Sequence, residues 1–311
     1  MNLTNSHNDG KTLRKCISTD KENTLETQAQ AFTFDQFKDE YYDPSLYRYD
    51  NTATGIATFD DVTDEHINYY KENGFLVVQN AFPQDSVKSW LDAIHHLIDG
   101  NNPDFTGVQY EGSLNKGQTT SPVNKREGVR KLNNFVEFDP RLKTLSDDNI
   151  LLSIISKMIG SDPELFVSQA FLKPSGIGRE KPWHQDHAFF DVPIGTPIAS
   201  CWIALDKATR DNGCMHVKPG THNEGPTPHF VQRDFQICDT HLDLTRDVMV
   251  PLNPGGILFF DGMLHHGTPA NRSSTQRRAM TLTYIPKETH RISSEERLSH
   301  FGGEDAGDVT C

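Results

Sequence analysis

The first clear periodicity in the chain begins at "TDEHINYYKENGFLVV". Thr63 stands where a helix N-cap belongs, Gly74 marks a stop, and "FLVV" reads as a short strand. The next stretch, "PQDSVKSWLDAIHHLIDG", spaces Val87, Trp90, Leu91, Ile94, Leu97 and Ile98 on one helical face and ends at Gly100. A further helix is expected over "DNILLSIISKMIG", closing at Gly160. It is apolar on most sides, so burial is expected for it. Residues 101 to 128, rich in Gly, Asn, Thr and Pro, read as a long loop of the kind that often carries function or mobility.

From about residue 165 the pattern changes to short β-type runs: "LFVSQAFL", "ASCWIALD", "CMHVKPG", "GGILFFDG" and "RAMTLTYIP", each punctuated by Gly, Pro, Asn or Asp. Strands that follow front-loaded helices predict a mainly β fold, a sandwich or barrel backed by α-helices. A loop-like insertion over about 221 to 247 interrupts the strands. The turn dipeptides Asn212-Gly213 and Pro219-Gly220 bracket "CMHV" and predict a short hairpin arm. Residues 1 to about 30 are polar and aperiodic and are expected to be disordered. Residues 31 to 57 add aromatics and form an arm able to pack on the main domain or a neighbouring chain. The expected division is a disordered or loosely packed arm over 1–57 and a single domain over 58–311.

Composition narrows the function. A formal net charge of −13 argues against a nucleic-acid partner, whose phosphates need Lys and Arg. It argues more mildly against an anionic membrane surface, although a local basic pocket can sit inside an acidic total. The group Lys125, Arg126, Arg130 and Lys131 is one such cluster, and it is able to accept an anionic ester. Five cysteines without a C-x-x-C pair suit free thiols in a reducing compartment. The polar start lacks the apolar core of a signal peptide, and no run approaches the ~18 apolar residues of a membrane span. A soluble, cytoplasmic protein, monomer or homodimer, is expected.

The candidate chemistry starts at "PWHQDHAFFD". Alternate residues of a strand share a face, so His184 and Asp186 aim at one point while Gln185 faces away. A divalent metal then lacks a third ligand, and "DGMLHHGTPANRSSTQRRAM" offers His265 and His266. Two His and one carboxylate on one face leave coordination positions open, the arrangement of non-haem Fe(II) oxygenases. By itself H-x-D carries little weight in a chain with 14 His and 43 acidic residues. Two other readings stay open at this point. One is a metal-binding jelly-roll recognition module without oxygen chemistry. The other is a zinc hydrolase, for which no general base is evident.

Three motifs in order, "LKPSG…KPWHQDHAFF", "CWIALDKATRDNGCMHVKPGTH" and "HHGTPANRSSTQRRA", resemble the phytanoyl-CoA dioxygenase family of Fe(II)/2-oxoglutarate oxygenases, which includes ectoine hydroxylase-like enzymes. The likeness is strongest over 165–286 and weaker over 58–164, and residues 1–57 carry none of it. It implies a double-stranded β-helix (jelly roll, cupin-like) core with Fe(II), 2-oxoglutarate as cosubstrate and O2. Carried over by position, His184, Asp186 and His266 bind iron. His266 precedes Gly267 and lies eleven residues before Arg277, as the family's distal His does, whereas His265 meets neither condition. Arg277 would receive the far carboxylate of 2-oxoglutarate, a task for a fixed bidentate cation. Thr268 would add a hydroxyl donor. Lys131, Gln169 and Trp202 are implied as cosubstrate-pocket walls, and Gln185 as a polar neighbour. His187 is expected at the cosubstrate wall or the entrance. His216 and His222 are expected in structural roles beside the site, and Phe189 or Phe190 at the substrate mouth. Because Asp186 is kept where halogenating relatives have a small residue, hydroxylation of a small metabolite or natural-product intermediate is expected. The terminus "DVTC" differs from the peroxisomal S-K-L address, which sets the chain apart from the eponymous fatty-acyl enzyme.

Overall fold

A computed structural model describes residues 33–37, 41–114 and 124–302. The disorder expected over 1–30 and the middle of the 101–128 loop lie outside the described residues. The elements in chain order are β1 (Thr33–Phe34), α1 (Asp64–Asn73), β2 (Phe75–Val78), α2 (Gln84–Ile98), β3 (Val108–Tyr110), α3 (Lys125–Gly128), β4 (Val129–Asn133), α4 (Pro140–Ser146) and α5 (Asn149–Ile159). The β-rich half follows with β5 (Pro163–Lys173), β6 (Lys181–His184), β7 (Ala199–Ala204), β8 (Met215–Val217), β9 (His229–Val231), β10 (Phe235–Ile237), β11 (Val248–Val250), β12 (Ile257–Asp261), β13 (His266–Thr268), β14 (Arg277–Pro286) and α6 (Ser294–His300).

Both expected helix boundaries around α1 are found. The Thr63 amide donates to His66 Nδ1, satisfying the N-terminal end, and Gly74 closes the helix in the left-handed region at φ 80°. A side chain at Gly74 would also collide with the His222 ring. α5 stops at Gly160 in the same way. Its burial is one-sided, however: Ile154 and Ile155 are buried while Ile150 is 53% exposed.

Eight strands form the large sheet in the order β1-β3-β4-β5-β14-β7-β12-β2. A second sheet, β11-β8-β13-β6, faces it, and β9 pairs with β10 in the 221–247 insertion. "CMHV" is therefore not a free hairpin arm: β8 lies between β11 and β13 inside the second sheet. The apolar runs are continuous because both faces of the large sheet are covered. Leu76, Val78, Ile257, Phe259, Ile203 and Leu282 pack with α1, α2 and α5 in one core. Their alternates Phe75, Val77, Leu258, Phe260 and Trp202 pack against Met215 and Val217 of the second sheet. The result is the expected jelly roll with flanking helices.

Among residues 41–57, Leu46 and Tyr47 are buried. Tyr47 stacks on Trp183 at 5.4 Å, its hydroxyl donates to Glu180 at 2.8 Å, and Trp183 Nε1 donates to the Leu46 carbonyl. This contact backs the strand that ends at His184. Replacing Tyr47 with Ala should destabilise the protein by about 3–5 kcal/mol, as for other buried aromatics; a urea melt that leaves the midpoint unchanged would show that the segment is not packed.

Candidate active site

β6 and β13 run antiparallel with His184 directly opposite His266. Their rings lie 4.1 Å apart between centroids. The extended backbone of Gln185 continues the strand for one residue, so alternation brings Asp186 to the same side although it opens a short 3-10 turn. Asp186 Oδ1 stands 3.5 Å from Nε2 of His184 and 3.5 Å from Nε2 of His266. Among the described residues this is the one group of His, Cys, Asp and Glu able to hold a metal ion.

The hydrogen bonds around these residues fix which atoms face inward. His184 Nδ1 donates to the Pro182 carbonyl at 2.7 Å, and His266 Nδ1 donates to that of Leu264 at 2.9 Å. Each ring therefore presents a bare Nε2 lone pair, which is what a metal requires. Burial, then the neighbouring His266, pushes His184 down to about 4, so its imidazole is neutral at physiological pH. Asp186 Oδ2 accepts from Ser200 Oγ at 3.0 Å, and Ser200 shares a second bond of 3.0 Å with Thr283. That leaves Oδ1 as the free oxygen. Neighbouring ligands of a metal with bonds of about 2.1 Å stand about 3 Å apart, so the triad has the donor atoms and the spacing for a small divalent ion.

Arg277 opens β14 and is 1% exposed. Its Nε has no partner, its Nη1 reaches only the Phe171 carbonyl at 3.5 Å, and its guanidinium lies 5.3 Å from the Trp202 ring centroid. No described carboxylate pairs with it. Burial lowers Arg277 to about 10, so it keeps its charge at neutral pH. A buried, unpaired cation is costly unless an anion joins it, and that anion would lie beside the triad. Arg278, its neighbour, faces the other way and is bidentate to Asp206.

Thr268, Gln169 and Trp202 line the same pocket as Arg277 and the triad. Thr281 also lines it and was not anticipated, although it lies four residues after Arg277 on one strand and so shares its face. Ser200 was missed as well; it is two residues before Trp202 and faces inward for the same reason. Lys173 is buried at the pocket wall, with its ammonium bound to the carbonyls of Arg179 at 2.6 Å and Pro269 at 2.8 Å. Only tertiary contacts reveal that role.

Other expected residues stand elsewhere. Gln185 is not beside the cosubstrate pocket: its amide donates to the carbonyls of Gly225 and Met263 and accepts from the Thr227 amide. It ties the 225–229 segment to the sheet, because a strand residue between His184 and Asp186 must point outward. His187 is at neither the wall nor the entrance; it is buried against Phe301. Lys131 lies beyond Phe171, with its ammonium 5.0 Å from that ring, and lines an adjoining cavity. The cluster of four cations is also divided. Lys125 and Arg126 are exposed, Arg126 is paired with Asp99, and Arg130 and Lys131 turn inward. His265 bonds to the Thr227 hydroxyl at 2.9 Å, His216 to Asp247 at 2.9 Å and His222 to the Lys71 carbonyl at 3.0 Å, all structural. Phe190 packs on Phe166, while Phe189 is 37% exposed with its ring edge-on to His184.

The model of the phytanoyl-CoA dioxygenase family matches residues 70–279. The chain belongs to this family. It is an oxidoreductase of the dioxygenase class, and the family's Fe(II), 2-oxoglutarate and O2 match the donor set and the unpaired Arg277 found here. Phytanoyl-CoA dioxygenase 1 of Oryza sativa subsp. japonica is 26% identical over 269 residues, covering 76% of this chain and 94% of that protein. The Danio rerio phytanoyl-CoA dioxygenase domain-containing protein 1 is 28% identical over 280 residues, covering 77% and 95%. Among solved structures, EvdO2 from Micromonospora carbonacea var. aurantiaca, complexed with 2-oxoglutarate, shares the fold at a TM-score of 0.60 and 23% identity, over 76% of this chain and 96% of that one. EctD from S. alaskensis does so at 0.58 and 21%, over 80% and 84%.

Ser200→Ala should leave the fold intact and weaken binding of a divalent metal by about 10-fold or more, because Asp186 loses the donor that orients it. A Co(II) titration followed by its visible absorption reads this directly; unchanged affinity would mean that Ser200 does not position the carboxylate.

Proposed function

We propose that this enzyme hydroxylates an unactivated C–H of a small metabolite or natural-product intermediate, using Fe(II), 2-oxoglutarate and O2. The observation that carries the reading is the pairing, in one buried pocket, of the His184, Asp186 and His266 donor set with the anion-deficient Arg277. When bound, iron with 2-oxoglutarate and O2 would supply the oxidation, one oxygen atom of O2 going to the C–H bond and the other to succinate, with CO2 released.

The chain's own residues organise this chemistry. His184 and His266 offer neutral imidazoles, and Asp186, held by Ser200, contributes one oxygen. Three protein donors would hold the metal and leave coordination positions for cosubstrate and O2. Arg277 takes the far carboxylate of 2-oxoglutarate, with the Thr268 hydroxyl and the Trp202 ring completing that wall. The surrounding apolar side chains exclude water and strengthen the charge pairing. Asp186 occupies the position a halide would need, which supports hydroxylation over halogenation.

A cytoplasmic setting agrees with the buried free thiols Cys201 and Cys214. No described helix is long and apolar enough to cross a membrane. The acidic total argues against a nucleic-acid partner.

Anaerobic addition of Fe(II) and 2-oxoglutarate should give a visible charge-transfer band that disappears in Arg277→Ala. Asp186→Ala should abolish succinate formation in a metabolite-pool screen that yields succinate with the wild type. Retained turnover in Asp186→Ala would falsify the ligand assignment, and a wild-type protein without the band would favour a binding module.

A further inference from the structure

Of the three residues that would hold the metal, Asp186 is the one that does not stand on a strand. His184 and His266 oppose each other across the paired β6 and β13, and each ring is fixed by its Nδ1 bond to a main-chain carbonyl. Asp186 instead opens the 3-10 turn Asp186–Phe189. Ser200 holds its carboxylate from the sheet side, but the backbone that carries it is one short turn. The His187 amide donates to the Gly262 carbonyl at 2.9 Å, whereas the Ala188 and Phe190 amides donate back to Gln185 and His187. Where Asp186 sits therefore depends on what packs behind the turn.

Phe301 packs there. It is buried at 0% exposure, although α6, which leads into it, has no buried residue of its own. Its ring lies 6.3 Å from the His187 ring and 5.5 Å from the His229 ring between centroids, and it shares an apolar cluster with Ala188 and Met263. Its carbonyl accepts from the His229 amide at 2.9 Å. The other bonds of the segment converge on the turn and the residues just after it. Arg297 donates through Nη1 to the Ala188 carbonyl and through Nε to Asp191 Oδ1 at 2.8 Å. The Ser294 hydroxyl lies 3.1 Å from both carboxylate oxygens of Asp191, and the Ile292 amide donates to the Asp191 carbonyl at 3.2 Å. None of residues 292–301 falls within the family match over 70–279.

We infer that the segment 292–301 braces the metal site, with Phe301 and Arg297 as positioning residues that hold the turn after Asp186 and, through it, the Asp186 carboxylate. Removing the Phe301 ring would leave a cavity directly against His187 and Ala188, into which the turn can relax. A small shift is enough, because metal–ligand distances tolerate only about 0.2 Å. The two histidines, held by strand pairing, would not follow. The inference rests on the reading of His184, Asp186 and His266 as the metal ligands.

The test follows Co(II) uptake by its visible absorption in the full chain, beside a thermal melt and amide hydrogen exchange of the metal-free protein. Phe301→Ala should weaken Co(II) binding about tenfold or more and speed exchange at the His187 and Phe190 amides. Phe301→Leu, which refills most of the space, should keep both near the wild type. Arg297→Gln leaves the apolar cluster filled and should move both readouts in the direction of Phe301→Ala, so the test survives poor folding of the latter. Ile154→Ala, a cavity in the helix-side core, should lower the melting midpoint and leave Co(II) affinity unchanged. An equal loss of affinity in Ile154→Ala would reduce the effect to stability and overturn the inference. Unchanged affinity in both Phe301→Ala and Arg297→Gln overturns it too. Co(II) binding that is absent from the wild type, or undiminished in Asp186→Ala, overturns the ligand assignment instead; faster exchange in Phe301→Ala then still shows that the segment holds the turn.

Discussion

His184 and His266 meet because β6 and β13 pair in one particular register, and the metal site depends on that pairing. In an antiparallel sheet, side chains of directly opposed residues lie within about 5.5 Å on the same face. A slip of one residue would turn one imidazole to the other side of the sheet, away from Asp186. Several contacts hold the register. β13 is fixed on its other edge by β8, and Trp183, next to His184, is anchored through Nε1 to the Leu46 carbonyl and by the stacked Tyr47. The segment before the helices, which carries no family motif, thus supports the strand that carries the first ligand.

Around this site the protein separates cations that are already paired from one that waits. Lys173 is deep in the wall but donates to main-chain carbonyls, so it joins β5 to the 179 and 269 segments. Arg130, Arg179 and Lys181 share Asp35 and Asp234 across strands and the N-terminal arm. Arg277 lacks such a partner. In a low-dielectric interior an unpaired charge is tolerated where a ligand completes it, which is the place an anion would take. The positive site in an acidic protein is therefore local, as the division of the Lys125, Arg126, Arg130 and Lys131 cluster illustrates.

The large sheet supplies the rigidity this requires. Its strands bury both faces, one under α1, α2 and α5 and the other under the second sheet. Apart from Asp186, which opens a 3-10 turn, the pocket side chains stand on strands: Arg277, Thr281, Trp202 and Gln169 all project from paired strands into the space between the sheets. The arm residues 34–37 and Asp234 frame the adjoining cavity instead, and loop segments of this kind can vary without disturbing the barrel.

Local pattern alone determined the helices at 64–73, 84–98 and 149–159, the strands that carry the core, and the pairing of His184 with Asp186 by alternation. The choice of His266 over His265 and the assignment of Arg277 came from the resemblance to the family's motifs, carried over by order and spacing along the chain. Strand periodicity also held Thr281 and Ser200, unread, through their offsets from Arg277 and Trp202. Only the tertiary structure placed "CMHV" inside a sheet, turned Gln185 and His187 away from the pocket and set Lys131 in an adjoining cavity. Those facts depend on which distant segments meet: Gly225 and Met263 around Gln185, Phe301 against His187, Asp35 between two arginines. Periodicity states which way a side chain points from its own strand, whereas the long-range packing of other segments decides what it meets there.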